Sequence, residues 1–428
     1  MKQKLIQQRG MAMVVMFAGL FYLVASAAAF PLEQAKLIPS DQVVGGEFGR
    51  SIAIDESFVV VGAAGPALEG YPDSAGPGAA YVFARKGDTY VLDAKLSAPD
   101  PVAGAEFGRA VAIQGNTVVV GARFATTDGV ERAGAVYIFR KIKSVWMFEA
   151  KVTSDNPTAE DNFGRALVLA DNRLIVTARK EEAPVLDAGA AYVFEKRGGA
   201  WVQVARVVAD NATIEARFGQ SVAMNGDLMA VGARDADSPV ATGCGAVYVF
   251  KKSGDDWLEV AKLAAHDGAT GDQFAFNIAM ERSLLVVGAR RANLPAIPPG
   301  RVRTAAGAAY IFKRSGAGWT EIQKLTASDA LAGDEFGHSV AMAGDMIAVG
   351  ARRVTIDGKR RQGAIYLFRQ QQGEWIQIGR LVAEDGGAND ELGHSLAAHG
   401  SIIAAGANGA DLDVTDAGAA YLFSRGIR

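Results

Sequence analysis

A single cysteine, Cys244, is present in 428 residues, so no disulfide can form within the chain. It lies in a glycine-rich stretch, TGCGAVY, where other copies of the same pattern carry a small residue, and it is read as their packing equivalent. Only four histidines occur, with no His-x-His pair. Gly-x-Ser-x-Gly, cysteine clusters and phosphate-binding glycine loops are also missing, so any enzyme here would build its site from distant loops. The formal charge is −3, which gives nucleic-acid binding no electrostatic support. Beyond the N-terminus there is no sustained helical periodicity and no second long apolar run.

The N-terminus reads as a secretory signal over residues 1–29. Lys2, Lys4 and Arg9 precede an uninterrupted apolar stretch from Met11 to Ala25, and Ala25-Ser26-Ala27 and Ala27-Ala28-Ala29 both fit a cleavage site. The apolar stretch falls short of the roughly 17–25 residues of a spanning helix and lacks a positive stop-transfer flank, so retention as a membrane anchor is the lesser reading. Cleavage takes three of the 44 basic residues, leaving 41 against 47 acidic, a net −6. The expected mature protein is secreted, periplasmic or cell-surface, has no membrane span, and is a monomer.

What the chain has in abundance is repetition. A Phe-Gly element falls at Phe48, Phe107, Phe163, Phe218, Phe274, Phe336 and, with leucine in place of phenylalanine, Leu392. Alanine replaces the glycine at Ala275. The Gly of Phe-Gly is followed 13 residues later by a Gly-Ala in every copy, with Thr177 replacing that glycine in the third. A Tyr-x-Phe motif follows, from Tyr81-Val82-Phe83 to Tyr421-Leu422-Phe423, and 9 residues after each complete copy's tyrosine comes Tyr90 or a tryptophan. Length varies only between Gly-Ala and Tyr-x-Phe.

Each copy contains four short runs rich in Val, Ile, Tyr, Phe and Trp, bounded by Gly, Asp and Asn, which predict four antiparallel strands, A to D. Joints such as Asn225-Gly226, Gly344-Asp345 and Gly254-Asp255 are tight turns. Asp128-Gly129 and Asp357-Gly358 predict hairpin tips inside two of the longer loops. Seven four-stranded sheets apolar on both faces predict an all-β, seven-bladed β-propeller over residues 30–428. The seventh copy ends after strand C, while Gln34-Ala35-Lys36-Leu37 resembles a strand D. The first strand is therefore expected to close the last blade and seal the ring.

These motifs resemble FG-GAP repeats, the blades of the propeller at the head of integrin alpha chains and of many secreted bacterial proteins. The resemblance covers residues 32–428. Integrin-type blades often carry an Asp-x-Asp-x-Asp-Gly calcium loop between strands A and B. That joint here is a turn such as Asn225-Gly226-Asp227, too short to wrap the six to eight oxygens calcium takes, so no cofactor is implied. The letter after Gly-Ala also departs from the family's proline: it is Arg123, Arg179, Arg234, Arg290 and Arg352 in five copies.

Because A–B and C–D turns share one face, the variable B–C segments and the D–A connections share the other, which is the expected binding face. The resemblance and this asymmetry imply a non-catalytic binding or scaffold module for an extracellular or periplasmic protein or glycan. The alternatives are a polysaccharide lyase or hydrolase with its site at the channel mouth, and a structural cell-surface component. Two groups of residues are candidate binding sites. Arg290, Arg291, Arg301 and Arg303 of copy five and Arg352, Arg353, Lys359, Arg360 and Arg361 of copy six suggest a basic sector for an acidic partner. The residues after Phe-Gly, namely Arg50, Arg109, Arg165, Gln220, Phe276, His338 and His394, are expected at the channel rim, where they would hold an anion or supply acid and base groups. Asp411, Asp413 and Asp416 are a weak candidate for calcium, off the spacing of a calcium loop. An aspartate before each Phe-Gly (Asp41, Asp100, Asp155, Asp210, Asp267, Asp329, Asp385) suggests a structural task, fixing a turn through backbone N–H groups.

Overall fold

The structure is a computed structural model that describes residues 32–65, 76–182, 185–254, 256–296, 300 and 302–424. The expected signal segment, Asp255 of one expected turn, and Arg301 lie outside the described residues. The chain forms seven four-stranded antiparallel sheets. In blade one the strands are A (Phe48–Ile54), B (Phe58–Ala63), C (Ala79–Lys86) and D (Thr89–Leu96), and the other blades repeat this order. Strand B is buried along nearly its whole length because a neighbouring blade covers each face. Strand D alternates, its outer positions exposed at the rim.

Seven apolar clusters fill the seven gaps between blades, and each draws side chains from two neighbours. The Phe-Gly phenylalanine is the anchor. Phe48 is fully buried, with its ring centroid 5.4 Å from Tyr81 and 6.1 Å from Phe83, both edge-on. The same contact recurs in the other blades that carry the phenylalanine. Leu392 takes its place in blade seven and is equally buried.

The ring closes where the sequence predicts. Leu32–Leu37 pairs antiparallel with Ala419–Ser424, strand C of blade seven, and so supplies that blade's strand D. Leu37 enters the cluster between blades seven and one, beside Phe48 and Leu422.

The aspartates before Phe-Gly have a different task from the expected backbone turn. Asp41 accepts hydrogen bonds from the Tyr81 hydroxyl (2.6 Å) and Lys95 (2.5 Å), and Asp267 from Tyr310 (2.8 Å) and Lys324 (2.6 Å). Each therefore clamps the incoming connection to strands C and D of the blade it opens. In blades three and four Glu181 and Asn211 replace Asp155 and Asp210 as the tyrosine's partner.

The two ends of the disc differ. A–B joints are tight: Gly226 and Asp227 alone link strand A to strand B in blade four, with Gly226 at φ 59°. At the other end the B–C segment docks on the following D–A connection, at five junctions through a parallel bridge such as Gly78 to Phe107 and Gly363 to Leu392, and at the other two through the Phe218 and Phe274 N–H groups, which donate to the Ala188 and Cys244 carbonyl oxygens. The two Asp-Gly hairpin tips form there: Thr127 pairs with Val130 and Ile356 with Lys359, with φ positive at both central residues.

Candidate functional site: an arginine-lined channel mouth

A bulge places the residue after Phe-Gly. Phe48 pairs with Ala63, yet Ser51 pairs with Gly62, so Gly49 and Arg50 are extra on strand A. Gly49 takes φ 92°, a conformation where a Cβ would come 2.4 Å from the Ala419 carbonyl oxygen. The bulge turns the next side chain into the channel. Arg50, Arg109, Arg165, Gln220, Phe276, His338 and His394 all line one cavity of about 400 Å³.

A second ring joins them there. Strand B ends opposite the start of strand A, so the residue after Gly-Ala lies at the same end of the blade. Arg123, Arg179, Arg234, Arg290 and Arg352 line the same cavity. Both rings stand at the ends of the blades that carry the variable segments. Eight arginines and two histidines thus converge on the channel mouth, set in polar surroundings.

The cavity has two unlike halves. In blades five to seven, charge is compensated and rings stack. Arg290 lies 3.8 Å above Phe276, Phe276 is 4.9 Å from His338, and His338 is 4.9 Å from His394. Arg352 bonds Glu335 (2.9 Å) and Glu391 (2.6 Å), and Arg353 reaches Glu335 at 3.1 Å. Burial raises the Glu391 pKa, but His394 and Arg352 beside it outweigh burial and hold it at about 2. Burial also pushes the histidines down, His394 to about 3, with Arg50 and Arg352 adding to the shift. His338 falls well below its ordinary value for the same first cause, with His394 and Arg352 next. Both rings are neutral at pH 7.

In blades one to three the compensation thins. Arg123 makes a bidentate pair with Glu106, both contacts 2.7 Å, and Arg109 approaches the same carboxylate at 3.4 Å. Arg50 stands 3.5 Å from Glu47. Among the described residues, Arg179 reaches only the side-chain oxygen of Gln220, at 3.3 Å. Arg165 makes no side-chain hydrogen bond, ion pair or ring contact to any described residue, and its Nε is buried without an acceptor. The Nε atoms of Arg50, Arg109 and Arg179 share that condition. Burial first, then the neighbouring guanidiniums, lowers the pKa of Arg109 and Arg165 well below the ordinary value, and that of Arg179 to about 9. Arginine is not deprotonated in proteins, so the shift expresses the cost of crowding like charges away from bulk water.

The basic residues of blades five and six do not form one surface. Arg290 and Arg352 turn into the channel. Arg303 bonds the carbonyl oxygens of Pro295 and Ala330, and Lys359 that of Gly386, tying their own loops down. Arg291, Arg360 and Arg361 are exposed. The three carboxylates of blade seven's loop are not gathered: Asp411 accepts from the Asp416 backbone N–H, while Asp413 accepts from Gln42. Among the described residues, no three His, Cys, Asp or Glu side chains are grouped as a metal site requires. Cys244 is buried, 3.0 Å from the Ser238 hydroxyl.

Of the arginines after Gly-Ala, the sequence reading left Arg123, Arg179 and Arg234 without a place and set Arg290 and Arg352 in a basic loop sector rather than in the channel. The antiparallel pairing of strands A and B is the signal that locates them, since it puts both series at one end of each blade.

The fold defines an all-β, seven-bladed propeller. The chain belongs to the FG-GAP repeat family: the family's repeat model matches it at residues 31–83, 90–139, 146–194, 201–250, 257–312, 319–368 and 375–423. A chain in a solved structure titled "Crystal Structure of Mitotic Checkpoint Complex" is similar in fold, with a TM-score of 0.56 at 11% identity over 98% of this chain and 99% of that one. No curated protein matches the chain. Among the described residues, no helix is long and apolar enough to cross a membrane.

Proposed function

We propose that this FG-GAP propeller is an exported, non-catalytic binding module that takes a protein or glycan partner on its loop-rich face, centred on the channel mouth. The family supports a binding or scaffold role in general. The observation that carries the reading is the coincidence of two features at one end of the disc. The segments free to vary in length stand there, and so does the arginine-lined cavity. The opposite end offers only short turns. Charge focused in a cleft between low-dielectric walls also speeds the encounter with an oppositely charged partner.

The reading is tested on protein and glycan arrays with three chains: the native one, one with Arg360→Ser and Arg361→Ser on the loop-rich face, and one with Asp227→Ser on the opposite face. Capture that weakens in the first variant and persists in the second supports it. Capture lost only in the Asp227→Ser chain, or no capture at all, rejects it.

A further inference from the structure

We propose that Arg109, Arg165 and Arg179 form a site for an oxyanion, a carboxylate, sulfate or phosphate group carried by the ligand. The inference deepens the binding-module reading and rests on it for its setting.

Five blades carry an arginine after Gly-Ala; four of them give it a close partner and one does not. The residue before Phe-Gly sits at positive φ beside the channel: Glu47, Glu106, Glu335 and Glu391 in blades one, two, six and seven. In blades two and six that glutamate neutralises the arginine after Gly-Ala of its own blade, as Glu106 does Arg123 and Glu335 does Arg352. Blade five substitutes Gln273, whose oxygen accepts from Arg290 at 2.8 Å. Blade four puts Arg217 there but supplies Asp235, 3.0 Å from Arg234 and 3.2 Å from Arg217. Blade three has Asn162, and its amide is turned away to the Glu160 carbonyl oxygen. Among the described residues nothing replaces it, which leaves Arg179 with one long contact and Arg165 with none.

A buried donor without an acceptor costs free energy, and more so when it is charged. Three such guanidiniums in one sector also repel one another. An oxyanion removes both penalties at once, because each guanidinium offers a planar fork that matches two oxygens. The 400 Å³ cavity lies within the range of about 300–1,000 Å³ typical of small-ligand sites. The facing wall, with neutral histidines and already paired arginines, competes weakly for the charge. The oxyanion is therefore held toward blades two and three.

Calorimetric titration at constant ionic strength tests this with sodium phosphate, sodium sulfate and trigalacturonate as probes. The chains are the native protein, Arg165→Gln and Asn162→Glu. Asn162→Glu introduces the counter-ion that four other blades already carry at the same backbone conformation, so it fills the site from within. At least one probe is expected to bind the native chain, and about tenfold or more weakly to each variant. Asn162→Glu should melt no lower than the native protein in the absence of anion. Binding of phosphate and sulfate alone identifies a tetrahedral group, and binding of trigalacturonate a uronate carboxylate. Absence of binding by all three probes, or equal binding by all three chains, overturns the site. An array partner still captured by Asn162→Glu removes this site and leaves the module reading standing. Anion binding without any array partner does the reverse.

Discussion

Lys36 Nζ lies 2.6 Å from Asp385 Oδ2, although 349 residues separate them. Asp385 also accepts from the Tyr421 hydroxyl at 2.8 Å. Burial raises the Asp385 pKa, yet these two bonds outweigh it and hold the carboxylate below its ordinary range. The clamp found inside the other blades is here built from both ends of the chain. Its charge contributes little alone, since the side chains are 28% and 52% exposed, and Lys36→Met should cost no more than about 1 kcal/mol. Leu37 is 4% exposed within the seam, so Leu37→Ala should cost about 2–5 kcal/mol. Deleting residues 32–37 should lower the melting temperature further and broaden the transition. Calorimetry and urea denaturation check all three, and a deletion that melts like the native chain would mean that the seam does not bear load.

A hydroxyl has changed strands in blade three. In blades one, four, six and seven a serine on strand A donates to the next blade's backbone, as Ser51 does to the Gly108 carbonyl oxygen at 2.8 Å. Blade three has Ala166 at that position, and Thr177 on strand B donates instead to the Gly219 carbonyl oxygen at 2.8 Å. Thr177→Val should therefore cost about 1–3 kcal/mol by leaving a buried acceptor unpaired. Adding Ala166→Ser to Thr177→Gly should recover most of the loss seen for Thr177→Gly alone. A double-mutant cycle in urea measures the coupling, and additive costs would refute the exchange.

That exchange shows where the sequence was legible. The blades, their number and the closing strand follow from spacing, because rigid intervals and apolar runs encode backbone pairing directly. Thr177 stood out in the sequence only as a missing glycine, and it takes the register that sets it beside Ala166 to show what it replaces. The site divides in the same way. The position of Arg50, Arg109 and Arg165 at the channel was readable from one repeated letter. Their state was not, because it depends on whether the residue three before each arginine, Glu106 or Asn162, turns its side chain toward a guanidinium. The loop residues Arg303 and Lys359 were indistinguishable from free charges until their carbonyl partners were in view.

Ala275 is the one Phe-Gly position without glycine, and it keeps φ at 68°. An L-residue in that region pays roughly 1–2 kcal/mol. Ala275→Gly relieves the strain but adds chain entropy to the unfolded state, which offsets up to about 1 kcal/mol. The net expectation is stabilisation of about 0.5–1 kcal/mol, read as a higher urea midpoint with an unchanged slope. A lower midpoint would show that the Ala275 methyl, fully buried between blades four and five, contributes more by packing than its backbone costs.

His394 gives the fold an acid-sensitive element. Its side chain is 9% exposed, and burial, with Arg50 and Arg352, outweighs the opposing pull of Glu391 3.7 Å away and holds its pKa at about 3. In the unfolded chain the same imidazole titrates near about 6.5. The folded value is the lower one, so unfolding takes up a proton at any pH between the two. The stabilisation is complete above about pH 6.5 and is lost progressively as pH falls toward 3. Each unit of pH in that window is worth up to about 1.4 kcal/mol for this one group. His394→Gln keeps a polar side chain without the titration, so its stability should fall less steeply than the native protein's between pH 6.5 and 5. Urea denaturation at several pH values compares the two slopes. Parallel curves would mean that His394 is protonated in the folded protein, and would place a positive charge on the wall of the channel that is neutral here.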